Sequence, residues 1–312
     1  MARSAHSLDL QGHRGGRGLM PENTLPAFAH ALALGVTTLE LDCAITRDGV
    51  VVVSHDAVLN PDITRGPDGT WLKEEGPPIG HLTYDELRRY DVGRIRPGSA
   101  YATRFSRQRP VDGTRVPRLA DVFALARRAG NETVRFNIET KVSPLHPGRT
   151  LAPEAFARTL IEVVRAGNMQ QRVTIQSFDW RTLKVVQQEA PEIPTAYLTA
   201  QQDFMDNILA GQAESPWTAG LRVRSFADSI PRMVKAAGGA VWSPYYGEVT
   251  RENVREAQSL GLKVVVWTVN AEKDMRRMID VGVDGIISDY PDRLRRVAAR
   301  LGMELPPVTP VR

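Results

Sequence analysis

The sequence of 312 residues is short of cysteine, of aromatic side chains and of long apolar runs. Its one cysteine, Cys43, excludes an internal disulfide and is compatible with either an oxidising or a reducing compartment. No run is long and apolar enough to cross a bilayer, and the start MARSAHSLDLQG lacks the apolar core of a secretory signal. We therefore expect a cytoplasmic protein, with a periplasmic location as the alternative if a signal peptide has been removed.

An excess of charge of one sign is also missing, because 40 basic and 36 acidic residues give a formal charge of only +4. Proteins that bind nucleic acid cluster basic residues with aromatic ones, and aromatic residues make up only 6% of this chain. We predict no nucleic-acid partner and an anionic small molecule as substrate. Residues 85–118 hold nine arginines against four acids, which indicates a solvated cationic face that helps to attract anions.

What the sequence does contain is a repeated alternation of strand and helix. Apolar, β-branched segments predict nine strands, at residues 7–11, 38–43, 50–55, 134–141, 173–177, 195–198, 240–243, 264–269 and 285–288. Helical patterns separate most of the later ones, at residues 153–166, 179–189, 251–259, 270–281 and 292–301. This alternation predicts an α/β fold of parallel strands, and the number of units favours a closed TIM (β/α)8 barrel over an open sheet.

Nine predicted strands exceed the eight places of such a barrel. The stretch TRDGV, at residues 46–50, carries the Asp-Gly signal of a tight hairpin, so we expect residues 50–54 to pair back on an extended second strand. Residues 57–118 break the alternation and are rich in Pro and Gly, with one clear helix at 83–90. We therefore predict one barrel domain over residues 1–312, with residues 57–118 as a small subdomain inserted after the strand that carries His55.

Acidic residues alternate with apolar ones on two of the predicted strands. In LELDCAI, Glu40 and Asp42 share one face of the strand, and in FNIETK the residues Glu139 and Lys141 do the same. The apolar faces must contact the helices, so the carboxylates point into the barrel, where unpaired charge is costly. Three carboxylates without thiols favour a hard ion, Mg²⁺ or Ca²⁺, over zinc. An exposed edge strand and a buried Glu139–Lys141 ion pair are the structural alternatives.

Two histidines and two cations complete the candidate chemistry. His13 and His55 lie at strand ends, where barrel enzymes place their active sites, and a histidine pair can move protons on both sides of one bond. Arg14 offers a rigid fork of donors for phosphate, among glycines that let backbone N–H groups approach, and Lys141 offers a compact charge. This combination suits phosphoryl chemistry, in which negative charge accumulates as the bond breaks.

Six motifs in order along the chain, HRG…PENT, ELD…DGVVVVSHD, NIETK, SFDW, VWTVN and DGIISDYP, resemble the glycerophosphodiester phosphodiesterases. The resemblance runs from about residue 10 to residue 294 and implies a TIM barrel. It also implies metal-dependent hydrolysis of small-molecule glycerophosphodiesters to sn-glycerol 3-phosphate and an alcohol. It assigns Glu22 and Asn23 positioning and capping roles, and leaves SFDW and DGIISDYP to the fold.

The resemblance also implies site roles by position. His13 and His55 match the acid/base pair, Glu40, Asp42 and Glu139 the ligands of one divalent cation, Arg14 and Lys141 the phosphate contacts, and Trp267 an aromatic that lines the substrate pocket. Packing of the barrel is the alternative role for Trp267. A barrel lyase or isomerase acting on a sugar phosphate, a catalytically silent phosphate-binding module and an enzyme that cleaves lysophospholipid headgroups remain open. So do the identity of the ion, the division of labour between the histidines, and water or the glycerol 2-hydroxyl as nucleophile.

Overall fold

The structure, a computed structural model, describes residues 7–311. Its strands are β1 (Asp9–Gly12), β2 (Thr38–Ile45), β3 (Val51–Val53), β4 (Arg135–Thr140), β5 (Val173–Ser177), β6 (Thr195–Thr199), β7 (Gln201–Gln202), β8 (Met205–Asp206), β9 (Val241–Pro244), β10 (Lys263–Val266) and β11 (Gly285–Ser288). Its α-helices are α1 (Leu25–Leu34), α2 (Tyr84–Leu87), α3 (Ala100–Arg104), α4 (Leu119–Arg128), α5 (Pro153–Ala166), α6 (Trp180–Glu189), α7 (Ile230–Ala236), α8 (Arg251–Ser259), α9 (Glu272–Val281) and α10 (Pro291–Arg300).

Eight parallel strands close into a barrel within the described residues. Their order around the barrel is β1-β2-β4-β5-β6-β9-β10-β11, and β11 pairs with β1 to complete the ring. A helix precedes each return to the barrel, so the chain has the (β/α)8 architecture of a TIM barrel, as predicted. The carboxyl ends of all eight strands therefore open on one face of the molecule.

The ninth predicted strand is β3, which pairs antiparallel with the extended end of β2 through a hairpin. This confirms that residues 50–54 do not form one of the eight strands of the barrel. Gly49 in the hairpin has φ +80°, a conformation that glycine adopts without a steric penalty. The predicted bounds of β5, β11, α5 and α8 agree with the structure, whereas the hairpin β7–β8 was not predicted.

The core lies between the barrel and its helices. On β2, the side chains of Leu39, Leu41 and Cys43 are fully buried in this layer, which leaves the alternate acidic residues facing the barrel interior. Helix α1 begins after Thr24, whose hydroxyl accepts a hydrogen bond from the backbone N–H of Ala27 at 3.3 Å, and Thr24 is thus the N-cap.

Residues 57–118 contain α2 and α3 and have a small apolar cluster of their own, in which Leu59 and Ile79 pack against Val52 of β3. The helix predicted at 83–90 is shorter, because only Tyr84–Leu87 is helical, and the capping box between Thr83 and Glu86 is present. The treatment of these residues as a separate subdomain stays a prediction. None of the helices that the structure describes is long and apolar enough for a membrane span.

Candidate active site

Three carboxylates meet where β2 and β4 lie side by side. In the parallel register Asp42 is opposite Glu139, and Glu40 is opposite Asn137. One oxygen from each of Glu40, Asp42 and Glu139 lies within 4.8 Å of the other two, and all three residues are buried. The structure therefore brings the three acids predicted from two separate strands into one cluster.

Burial and mutual repulsion disfavour the charged forms of two of these acids. Burial and the neighbouring Asp42 raise the pKa of Glu40 well above its usual range. Burial also raises the pKa of Glu139 to about 7, and Asp42 adds to that rise against the attraction of Lys141. Burial acts the same way on Asp42, but attraction from His55 and Arg14 outweighs it and holds the pKa of that carboxyl far below its usual range.

The cluster has fewer cations than its carboxylates require, which fits a divalent ion. Arg14 and Lys141 are the cations that contact the carboxylates of Glu22, Glu40, Asp42 and Glu139. When all four carboxylates are ionised, two positive charges are missing. In addition, Asp42 Oδ1 is buried and has no hydrogen-bond partner among residues 7–311. An all-oxygen donor set with this deficit suits Mg²⁺ or Ca²⁺.

Each of the two histidines is held by a carboxylate at Nδ1. His13 Nδ1 lies 2.6 Å from Asp289 Oδ1, and His55 Nδ1 lies 2.8 Å from Asp56 Oδ1. These contacts favour the tautomer with the proton on Nδ1, which leaves Nε2 of each ring for chemistry. Nε2 of His13 is 3.9 Å from Glu40 Oε2, so this ring borders the carboxylate cluster.

The protein environment lowers the pKa of both histidines. Burial lowers the pKa of His13 to about 4, against the attraction of Asp289. Burial and the cationic Arg14 lower the pKa of His55. Burial raises the pKa of Asp289, but Arg17 and His13 outweigh it and keep this carboxyl ionised, so Asp289 stays an acceptor for the ring N–H.

The loop after β1 places Arg14 against the acids. Arg14 has φ +53°, a left-handed conformation uncommon outside glycine, and its backbone N–H donates to Glu40 Oε2 at 2.8 Å. Its Nη1 donates to Glu22 Oε1 at 2.7 Å. Its Nε lies 3.3 Å from Asp42 Oδ2 without hydrogen-bond alignment and has no other partner among the described residues. The Arg14 guanidinium is therefore held between Glu22 and Asp42.

Residues around this loop hold the acids in place. Asn23 donates from Nδ2 to Asp42 Oδ2 at 2.9 Å, which agrees with the positioning role that the resemblance implies. On the other strand, Lys141 Nζ donates to Glu139 Oε1 at 2.8 Å. Burial lowers the pKa of Lys141, but Glu139 and Asp42 raise it above its usual value, so the lysine stays charged.

The candidate residues share a cavity of about 650 Å³ at the carboxyl ends of the strands. Seven of the eight line it, and they are His13, Arg14, Glu40, His55, Glu139, Lys141 and Trp267. Asp42, the eighth, is fully buried. Active sites of TIM barrels lie at this end.

Several residues that contact the site were not predicted from the sequence. Assigning DGIISDYP to the fold alone is wrong, because Asp289 contacts His13 and accepts from Arg17 Nε at 2.7 Å. Arg17 is buried and also donates to the Tyr101 hydroxyl at 3.2 Å. Gln176 of β5 donates to Glu40 Oε1 at 2.7 Å. The sequence feature that could have identified Asp289 is its position, because it directly follows the end of a predicted strand.

The model of the glycerophosphoryl diester phosphodiesterase family matches residues 13–293. The chain belongs to this family. A glycerophosphodiester phosphodiesterase of Caldanaerobacter subterraneus subsp. tengcongensis is 31% identical to it, over 93% of this chain and 97% of that protein. A crystal structure of a glycerophosphoryl diester phosphodiesterase family protein from Silicibacter pomeroyi is 37% identical, with a TM-score of 0.84 over 96% of each chain.

A more distant solved structure shares the glycerophosphoryl diester phosphodiesterase fold. This phosphodiesterase from Oleispira antarctica, solved with the product sn-glycerol-3-phosphate, is 20% identical, with a TM-score of 0.67 over 94% of this chain and 97% of that one. Membership of the glycerophosphoryl diester phosphodiesterase family, together with the similarity over nearly the whole chain, makes this protein an enzyme that hydrolyses small-molecule glycerophosphodiesters.

Proposed function

We propose that this enzyme cleaves glycerophosphodiesters to sn-glycerol 3-phosphate and an alcohol, with His13 and His55 as the acid/base pair beside one carboxylate-bound divalent cation. The observation that carries the proposal is the convergence of three buried carboxylates within 4.8 Å, next to two histidines that each have Nδ1 on a carboxylate. The sn-glycerol-3-phosphate bound by the Oleispira antarctica protein, on the same fold, supports the choice of product.

Glu40, Asp42 and Glu139 hold the ion in this proposal. When bound, Mg²⁺ or Ca²⁺ supplies Lewis-acid stabilisation of the charge that develops on the phosphoryl oxygens. Arg14, which lines the cavity beside Glu22 and Asp42, donates to a phosphate oxygen. Lys141, kept charged by Glu139 and Asp42, adds a second positive charge.

The two histidines move the protons. One neutral imidazole accepts through Nε2 the proton of the attacking hydroxyl, which belongs to water or to the glycerol 2-hydroxyl. As the new P–O bond forms, the bond to the leaving alcohol breaks, and the other imidazole, protonated in the substrate complex, donates its proton to that oxygen. Attack by the 2-hydroxyl gives a cyclic phosphate, and water then opens it with the proton transfers reversed. Asp289 and Asp56 hold the rings at Nδ1 throughout.

A coupled assay for released glycerol 3-phosphate tests the proposal. The substrates are glycerophosphocholine, glycerophosphoethanolamine and glycerophosphoglycerol, each with and without a chelator, and a glycerol 3-phosphate standard in the same chelator controls the coupling enzymes. We expect product from at least one substrate, loss of product in chelator, and recovery when Mg²⁺ or Ca²⁺ is restored. Undiminished turnover in chelator, or no glycerol 3-phosphate from any of the three diesters, would contradict the proposal.

A further inference from the structure

Five aromatic side chains form one wall of the active-site cavity, which we call the aromatic wall; they are Phe178, Phe204, Tyr245, Tyr246 and Trp267. They come from the loops after β5, β6, β9 and β10, across the barrel mouth from the charged residues on β1 to β4. The cavity therefore has a charged half, where the phosphate chemistry takes place, and an aromatic half to which the mechanism assigns nothing.

Adjacent rings of the aromatic wall meet at steep angles. The centroids of Phe204 and Tyr245 are 5.3 Å apart with planes inclined by 75°, those of Tyr245 and Trp267 are 5.6 Å apart at 60°, and those of Trp267 and Phe178 are 5.3 Å apart at 90°. Rings inclined in this way present faces and edges in several directions around one space, unlike a flat stack. The indole N–H of Trp267 donates to Ser243 O at 2.9 Å, which fixes the orientation of that ring.

Phe204 is the member of the aromatic wall whose position is not explained by packing in the hydrophobic core. It lies in the two-residue turn of the β7–β8 hairpin and is 63% exposed, one of few large apolar side chains with such exposure. Its ring packs on Tyr245 at the cavity rather than into the core. An aromatic ring held over a cavity by a hairpin is placed to contact a ligand.

A carboxylate lies in the same half of the cavity. Asp274, in the first turn of α9, lines it, and among the described residues its one ion pair is with Arg277, at the long distance of 4.0 Å. A carboxylate beside π faces favours a bound cation, because both attract positive charge. It would disfavour an acyl chain, which offers no partner to a desolvated carboxylate.

We propose that the aromatic wall and Asp274 bind the trimethylammonium group of a choline headgroup, so that glycerophosphocholine is the preferred substrate; this rests on the proposed function. The two arms of that diester differ in chemistry. The glycerol arm carries hydroxyls, which need the polar donors and acceptors of the charged half. The choline arm carries a cation without N–H groups, which cannot form hydrogen bonds and which aromatic faces bind well.

The test compares glycerophosphocholine with its uncharged isostere, the 3,3-dimethylbutyl ester of glycerol phosphate, which keeps the shape and lacks the charge. We expect kcat/KM for the choline ester to exceed that for the isostere by about five- to thirty-fold. Phe204→Leu keeps apolar bulk and removes the ring, and Asp274→Asn removes the charge. Each substitution should move the choline-to-isostere ratio toward one. Leu145→Ala, at an exposed residue outside the cavity, should leave the ratio unchanged.

Equal turnover of the two esters, or an unchanged ratio in both Phe204→Leu and Asp274→Asn, would overturn the choline site while leaving the phosphodiesterase function intact. A lysophosphatidylethanolamine cleaved much faster than glycerophosphoethanolamine, with that advantage lost in Phe204→Leu, would assign the wall to an acyl chain and also overturn it. No glycerol 3-phosphate from either ester or from glycerophosphoglycerol would remove the proposed function itself, and the inference with it.

Discussion

At the scale of single residues, Asp289 connects the last strand of the barrel to the acid/base pair. It is fully buried, accepts from Arg17, and contacts Nδ1 of His13 at 2.6 Å. An asparagine at this position would keep the size of the side chain and remove the charge that orients the ring and stabilises its protonated form.

We therefore expect Asp289→Asn to lower kcat by about 10²- to 10⁴-fold, as loss of a carboxylate behind a catalytic histidine does elsewhere. The measurement is steady-state turnover of the best glycerophosphodiester. Asp292→Asn, three residues further on at a carboxylate that pairs with Arg107 and Arg296 and does not line the cavity, is the matched control and should stay near the activity of the unsubstituted enzyme. A kcat for Asp289→Asn within twofold of that control would show that His13 does not depend on Asp289.

The histidines themselves allow chemistry to be separated from ion binding. His13→Ala and His55→Ala should each lower kcat by at least about 10²-fold, because each removes a proton carrier. Both variants should still bind Mg²⁺ or Ca²⁺, since the carboxylate cluster lacks histidine ligands. Single-turnover kinetics and calorimetric ion titration measure the two properties. Near-normal turnover in both variants would end the assignment of the pair.

The sequence allows some of these residues to be predicted and not others. Glu40, Asp42 and Glu139 follow from strand periodicity, because a residue between two buried apolar ones must point into the barrel. The contact between Asp289 and His13 spans 276 positions and depends on how the barrel closes, which no local pattern contains. Asp56 adjoins His55 in the chain, but its contact with the ring depends on a loop conformation that the residue order does not specify.

At the scale of elements, the loop that carries Arg14 runs from β1 to the N-terminus of α1, where Thr24 is the cap. Thr24 is fully buried, caps α1 through its hydroxyl, and also donates to Pro21 O at 2.6 Å. Gly15, in the same loop, has φ +79°, and a Cβ there would lie 2.9 Å from the Cβ of Ala27. The loop and the helix are therefore closely packed, and the cap links them.

Thr24→Ala should lower the free energy of unfolding by about 0.5–2 kcal/mol, the usual cost of losing an N-cap. Thr24→Ser keeps the hydroxyl and should recover most of that loss. The measurement is denaturant unfolding of both variants. The two curves are fitted with one common slope of the unfolding free energy against denaturant concentration. Equal stability of the alanine and serine variants would show that the hydroxyl does not stabilise this helix.

Elements were predictable where a periodic pattern had room to repeat. Helix α5 and strand β5 have the bounds expected from sequence, and the Asp-Gly turn identified the β2–β3 hairpin. Strands β7 and β8 have two residues each, too few for alternation to be visible. Helix α2 stops at Leu87 although the pattern continues to residue 90, because a short helix in a Pro- and Gly-rich segment gains little from packing.

At the scale of the whole molecule, ion binding should be coupled to pH through the carboxylate cluster. In the ion-free protein, burial raises the pKa of Glu139 to about 7, so the folded state takes up a proton more readily than the unfolded chain. Protonation of Glu139 therefore increasingly stabilises the folded state as the pH falls from 7 toward 4.5. A bound cation requires the carboxylate form, so the effect on ion affinity has the opposite sign.

We expect the affinity for Mg²⁺ or Ca²⁺ to be about tenfold weaker at pH 6 than at pH 8, if one proton of pKa about 7 must leave. Calorimetric titration in two buffers of different ionisation enthalpy would report the released proton as well as the affinity. The same affinity at both pH values, with no proton release, would contradict the raised pKa.

The most direct measurement of the central claim is calorimetric titration of chelator-treated protein with Mg²⁺ and with Ca²⁺. We expect one ion per chain, bound at least about tenfold more weakly in Asp42→Asn, because Asp42 lies in the cluster of three carboxylates. Asp274→Asn, at a carboxylate in the same cavity but outside that cluster, should bind the ion as the unsubstituted protein does. Absence of binding, or equal affinity in Asp42→Asn and the unsubstituted protein, would contradict the account.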